Sequence, residues 1–177
     1  MGADALIVTL GLDTAAHQRL TALRTRHFPP ERNYLQAHVT MFHALPGDER
    51  PAIQACLGRT AEATGPLDLE AAGPMKLGRG TAIRLGGQDI SAVKTLKRHL
   101  IDELTDRLGD RLTAQDRGGM RPHVTIQNKV TPTEARRLHA ELAATWQPFP
   151  VTAESLRLWR YLGGPWEPIE TFTFKRD

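Results

Sequence analysis

Two short segments carry chemistry-bearing residues in the same arrangement: His38-Val39-Thr40-Met41 and His123-Val124-Thr125-Ile126. Each reads His, apolar, Thr, apolar. The chain has 7 His and 18 Thr. His-x-Thr should then occur by chance roughly 0.7 times, and roughly 0.1 times once apolar residues must fill the other two places. Two copies are therefore not an accident of composition. On a strand, side chains at i and i+2 share a face. His38 and Thr40 then point one way and Val39 and Met41 into a core; His123, Thr125, Val124 and Ile126 repeat the division. Two His-Thr pairs on one groove suit phosphoryl transfer without a metal. Imidazole titrates near neutrality, so one ring can accept a proton while the other donates one. The Thr hydroxyls can hold non-bridging phosphate oxygens as charge builds on them. A 2′,3′-cyclic phosphate fits the pair: a neutral His activates water for in-line attack, and a protonated His hands its proton to the leaving ribose oxygen. The reverse direction joins a 5′-hydroxyl to the cyclic phosphate.

The surrounding pattern predicts how these segments are positioned. Ala5–Leu10 reads as a strand, followed by a helix from Asp13 or Thr14 to about His27, stopped by Phe28-Pro29-Pro30. Leu35–Phe42 is the strand that bears the first motif, and Pro46-Gly47-Asp48 a turn. A helix from Glu49 to Ala63 buries Ile53, Cys56 and Leu57. Leu67–Leu77 is strand-like but interrupted by Gly73-Pro74. The order then restarts with a strand at Thr81–Leu85 and a helix from Asp89 to Leu108. Its stripe is Ile90, Val93, Leu96, Leu100, Ile101, Leu104 and Leu108. Asp110–Met120 reads as a mobile loop. His123–Gln127 is the second motif strand. Thr131-Pro132-Thr133-Glu134 is a capping box for a helix to about Trp146. Strands at Thr152–Leu162 and Ile169–Lys175 close the chain. Each half reads strand, helix, strand, helix, strand, at an offset of about 76 to 85 residues. The expected fold is α+β, a single domain over 1–177 with two pseudo-symmetric lobes, about 1–78 and about 79–177, around a central cleft.

Other residues follow from the same parity. Phe42 shares the face of His38 and Thr40, where it could stack on a base. Arg121 shares the face of His123 and could meet phosphate. In Leu156–Leu162, Arg157, Trp159 and Tyr161 alternate with Leu156, Leu158 and Leu162, giving a basic and aromatic face suited to a nucleotide. Phe42, Arg121, Trp159 and Tyr161 are thus the candidate substrate-binding residues. His43 falls opposite His38 in parity if the strand continues, on the core side or at the strand end, and reads as structural. His17, His27, His99 and His139 lie on helices and read as surface or cap residues. Neither motif contains Asp or Glu and no HExxH is present, so no metal site is expected. Gly78-Arg79-Gly80 and Leu85-Gly86-Gly87 lack the form of a phosphate loop, and no GxSxG elbow occurs.

Composition narrows the class without choosing it. The chain has 177 residues, with 40% hydrophobic and 24% charged residues, 15 Gly and 12 Pro, which fits a globular domain and excludes disorder and fibrous repeats. No apolar run approaches the roughly 18 residues of a membrane span. The Ala5–Leu12 stretch lacks the flanks of a signal peptide. The net charge of +3 permits an anionic ligand without requiring one. A single cysteine, Cys56, excludes an internal disulfide framework and points to a reducing cytoplasm. A monomer is the expected state.

The paired HVTM and RPHVTI segments, in a duplicated strand-helix layout of this length, resemble the two-histidine (2H) phosphoesterase superfamily. Within it they are most similar to the bacterial 2′-5′ RNA ligase-like group, the RNA 2′,3′-cyclic phosphodiesterases. The resemblance covers nearly the whole chain in layout, and its specific part is the two motifs. It implies a bilobal LigT-like fold with the motifs facing across a cleft. It also implies metal- and cofactor-free hydrolysis of cyclic phosphodiesters to 2′-phosphates, and a reversible ligation. His38, Thr40, His123 and Thr125 match the family motif position by position, and Arg121-Pro122 also looks like the family. The expected partners are RNA ends or nucleotides that carry a cyclic phosphate. Alternatives are a small substrate, such as an ADP-ribose cyclic phosphate or 2′,5′-oligoadenylate, and a non-catalytic module that binds RNA ends.

Overall fold

The computed structural model describes residues 4–177. The chain runs β1 (Ala5–Leu12), α1 (Thr14–His27), β2 (Val39–Pro46), α2 (Arg50–Glu62), β3 (Leu67–Leu77), β4 (Gly80–Gly86), α3 (Ile90–Leu108), α4 (Ala114–Arg117), β5 (His123–Gln127), α5 (Pro132–Thr145), β6 (Phe149–Tyr161) and β7 (Trp166–Thr173). This is the expected α+β fold. The strands pair antiparallel in the order β2-β1-β6-β3-β4-β5, and β7 also pairs with β6.

β6 ties the two halves of the chain together. β1 pairs with it along Ala153–Arg160. Its remaining edge is taken first by β3, at Phe149–Ala153, and then by β7, at Ser155–Tyr161. The third strand of each half thus pairs with the first strand of the other: β3 with β4, and β6 with β1. The helices cross over too, since α1 packs on β5, and α5 packs on β3 and β4.

Local chemistry explains the element starts. Asp13 Oδ1 accepts from Ala16 N–H at 3.0 Å, capping α1, while its Oδ2 accepts from Thr152 N–H at 2.7 Å. One carboxylate therefore begins the helix and pins it to β6. The predicted capping box at Thr131 and Glu134 is formed. Gly80 is a close-approach position: a Cβ there would lie 1.9 Å from the Gln127 carbonyl oxygen, so only glycine lets β4 lie this close to the end of β5.

Three expectations are corrected. The strand predicted over Leu35–Phe42 begins at Val39 and runs on to Pro46. The preceding backbone is held by side chains of α1 rather than by a strand partner: Ala37 N–H donates to Thr21 Oγ1, and the Leu35 carbonyl accepts from Arg24 Nε. The loop predicted as mobile over Asp110–Met120 instead contains α4, with Thr113 Oγ1 accepting from Asp116 N–H and Asp116 completely buried. β3 is continuous through Gly73-Pro74, because a bulge between Ala71 and Gly73 absorbs the irregularity. On α3 the apolar stripe also takes in Lys97, which is 4% exposed. Among the described residues no helix is long and apolar enough to cross a membrane.

Candidate active site

The two motif histidines are held in the same way. His38 immediately precedes β2 and His123 opens β5. His38 Nδ1 lies 2.8 Å from the Gln36 carbonyl oxygen, and His123 Nδ1 lies 2.7 Å from that of Arg121. A carbonyl only accepts, so Nδ1 carries the proton and donates in both rings. That fixes the tautomer and leaves Nε2 of each as the nitrogen free to act. Val39, Met41, Val124 and Ile126 are buried, while Thr40 and Thr125 stay half-exposed beside their histidines. The parity expected from the sequence therefore holds across both motifs.

The motifs are tied to one another through Arg24, a residue the sequence did not single out. The residue as a whole is 5% exposed. Nε donates to Asn33 Oδ1 at 2.9 Å and the Leu35 carbonyl at 3.0 Å, and Nη1 donates to the Thr125 carbonyl at 3.0 Å. One planar fork thus fastens the segment leading to His38 onto the strand bearing His123. Burial lowers its pKa to about 10, which leaves it charged at neutral pH.

His38 sits deep in the cleft against the Trp166 ring, with centroids 4.6 Å apart. Burial pushes its imidazole down to about 4. The positive charges of Arg24, His123 and His43 push the same way, and the Gln36 carbonyl opposes them. His38 is therefore neutral at pH 7. Beside it opens a cavity of about 610 Å³ whose lining includes His17, Tyr34, Arg157, Trp159 and Trp166. Trp159 Nε1 donates to Thr9 Oγ1 at 2.9 Å, Trp159 and Trp166 lie 6.0 Å apart, and the Arg157 guanidinium stands 4.4 Å over Trp159. Desolvation lowers the pKa of His17, helped by repulsion from Arg157 and opposed by a hydrogen bond with the Ala37 backbone.

The candidate substrate-binding residues separate. Trp159 lines the cavity. Tyr161 is half-buried one step further along β6, outside the lining. The Arg121 side chain is exposed, and its carbonyl is what orients His123. Phe42 is a correction: it has no exposed surface, and Lys97 Nζ sits 3.5 Å from its ring centre. The cause is a pair of bulges in β2. Val8 pairs with Phe42 but Thr9 pairs with Thr40, so Met41 is an extra residue and reverses the parity. A second irregularity follows between Leu6 and Val8, so His43 and Ala44 together oppose Ile7. The sequence does contain a sign of this, since the adjacent apolar pair Met41-Phe42 breaks strict alternation.

The bulges also decide which way His43 faces. Its ring is not turned into the core, since the side chain is 42% exposed, and a charge on it acts on His38. Asp116 holds this stretch. Its Oδ1 accepts from His43 N–H at 2.7 Å and lies 3.2 Å from His43 Nδ1, while Oδ2 accepts from Ala44 N–H at 2.9 Å. Those bonds, and attraction to Lys97, bring the carboxyl below its ordinary pKa even though burial pushes it up. Cys56 behaves as expected for a core position. It is buried on α2, and burial together with Glu103 pushes its thiol up to about 12, which is unsuitable for a nucleophile. Among the described residues no group of three or more His, Cys, Asp or Glu is arranged to hold a metal ion.

Comparison with known proteins agrees with this geometry. The sequence matches the 2′-5′ RNA ligase superfamily over residues 12–165. TT0787 of Thermus thermophilus superposes with a TM-score of 0.67 at 18% identity, over 96% of this chain and 97% of that one. Escherichia coli LigT complexed with 3′-AMP superposes with a TM-score of 0.64 at 19% identity, over 98% and 99% of the two chains. LigT complexed with NADP+ gives a TM-score of 0.62 at 18% identity, over 99% and 100%. No curated protein sequence matches significantly. The chain belongs to the 2′-5′ RNA ligase superfamily, the two-histidine phosphoesterases, and has their LigT-like fold.

Proposed function

We propose that this chain is a metal- and cofactor-independent phosphodiesterase that opens 2′,3′-cyclic phosphates at RNA ends or on nucleotides to 2′-phosphates, and that it runs in reverse as a 2′-5′ ligase. The supporting observation is the matched pair of Nδ1–H to carbonyl bonds, which leaves two Nε2 atoms free for proton transfer. His38, neutral at pH 7, takes the proton of an attacking water. As the O–P bond forms, the P–O3′ bond breaks, and His123, acting in the form that carries a second proton on Nε2, gives that proton to O3′. Thr40 and Thr125 hold the non-bridging oxygens. A bound phosphate's negative charge acts on His38 in the opposite direction to its burial, favouring uptake of the proton. The enzyme acts as a monomer in a reducing cytoplasm.

A second reading, a small-nucleotide substrate, is favoured by the cavity of about 610 Å³, a size suited to one nucleotide. LigT has been seen with 3′-AMP and with NADP+, which suits either reading. The test is turnover of 2′,3′-cyclic nucleotides and of cyclic-ended RNA in EDTA. Turnover should survive chelation, and His38→Ala and His123→Ala should each lower kcat by about 10²–10⁴-fold without unfolding the protein. Binding without turnover would favour a non-catalytic RNA-end module, and loss of activity on chelation would overturn the metal-free mechanism.

A further inference from the structure

The first motif strand carries a third histidine that the acid–base pair does not use. His43 Nδ1 faces the buried carboxylate of Asp116, which also takes the backbone N–H groups of His43 and Ala44. An ionised carboxylate only accepts, so Nδ1 donates to it and Nε2 is left over. The side chain is 42% exposed, so that nitrogen is open to a ligand. The construction around it is costly. Asp116 has no exposed surface, and Lys97, 4% exposed, donates to the Met41 carbonyl and packs on the Phe42 ring beneath the same bulged segment. A buried Lys and a buried Asp underpin one half-exposed imidazole, although a surface histidine needs no such support.

We propose that His43 contacts the substrate as well, with Nε2, when it too carries a proton, donating to a phosphate oxygen one nucleotide along from the scissile phosphorus, and that Asp116 is its positioning residue. His43 lies three positions after Thr40, and the bulge at Met41 consumes one of those steps. At about 3.3 Å per residue the remaining two advance the chain by roughly 7 Å, on the order of one nucleotide step. This assignment rests on the reading of the cleft as a phosphodiester site. It selects RNA ends with at least one intact internucleotide phosphate over free mononucleotides. The surroundings suit a phosphate-binding imidazole: the Asp116 carboxylate holds Nδ1 and fixes the ring, while Lys97 and His38 are further titratable groups facing this stretch.

The experiment compares a cyclic-ended dinucleotide with the corresponding mononucleotide 2′,3′-cyclic phosphate, in wild type and in His43→Asn. Wild type should favour the dinucleotide in KM. His43→Asn should reduce that preference about tenfold, chiefly through the dinucleotide KM, with kcat changed less than about threefold. His43→Lys, which supplies an N–H donor in its place, should recover most of the preference. Asp116→Asn should lower it as well while the thermal transition remains cooperative. An unchanged preference in His43→Asn would overturn the proposal, as would an equal loss on both substrates. Should wild type turn over neither substrate, the functional reading fails, and the dinucleotide Kd of wild type against His43→Asn still decides the role of His43.

Discussion

The environment of His38 has consequences for the stability of the fold. Its imidazole is brought down to about 4, from an ordinary value near 6.5. Between those two values the unfolded chain holds a proton that the folded chain rejects. Folding stability must then decline as pH falls from about 6.5 to about 4, and below that window the group contributes no further slope. Urea midpoints measured from pH 4 to 7 should fall on acidification, and His38→Gln should flatten the dependence. An identical slope in the variant would mean that the ring is not desolvated as described. The residues of the two motifs were legible in the sequence because strand parity is local: it needs only a few consecutive positions. Phe42 and His43 were not, since their orientation depends on bulges held by Asp116, 73 positions away in the chain.

Among elements, the critical joint is the one between α1 and the two motif segments. Arg24 carries it with three acceptors drawn from Asn33, Leu35 and Thr125. Lysine offers a point charge instead of a fork and cannot satisfy all three at once. Arg24→Lys should therefore fold but lower kcat by about 10–100-fold, since small misplacements of reacting groups are expensive. Circular dichroism should stay native-like while single-turnover rates fall, and an unchanged rate would remove Arg24 from the positioning machinery. A basic residue on an amphipathic helix looks like solvated surface in a sequence, which is why Arg24 and the buried Lys97 were not anticipated. The long stripe of α3 and the capping box of α5 were legible: both helices start and stop within a few residues of their expected limits. α4 was missed because four residues give no periodicity, and the reason for its order is the demand of β2 for a carboxylate.

For the whole molecule, the exchange of third strands means that neither half has a complete sheet of its own. The three tryptophans all lie in the second half of the sequence, yet Trp159 bonds to Thr9 of β1 and Trp166 packs on His38. Indole fluorescence and far-ultraviolet circular dichroism should therefore report one coincident denaturant transition. Two separated midpoints would show that the halves unfold independently. The duplicated layout could be read from the order of elements in the sequence, but not this crossing, because strand patterns name no partners.

β6 has one more implication. Because a single unbroken strand is laced to β1 along one side and to β3 and β7 along the other, the two flanks of the groove cannot swing apart without tearing ladder bonds. The gap is cast when the chain folds, not adjusted on a ligand's arrival. Any guest must then fit the groove's thickness and bend as they stand, as a gauge passes or refuses a part.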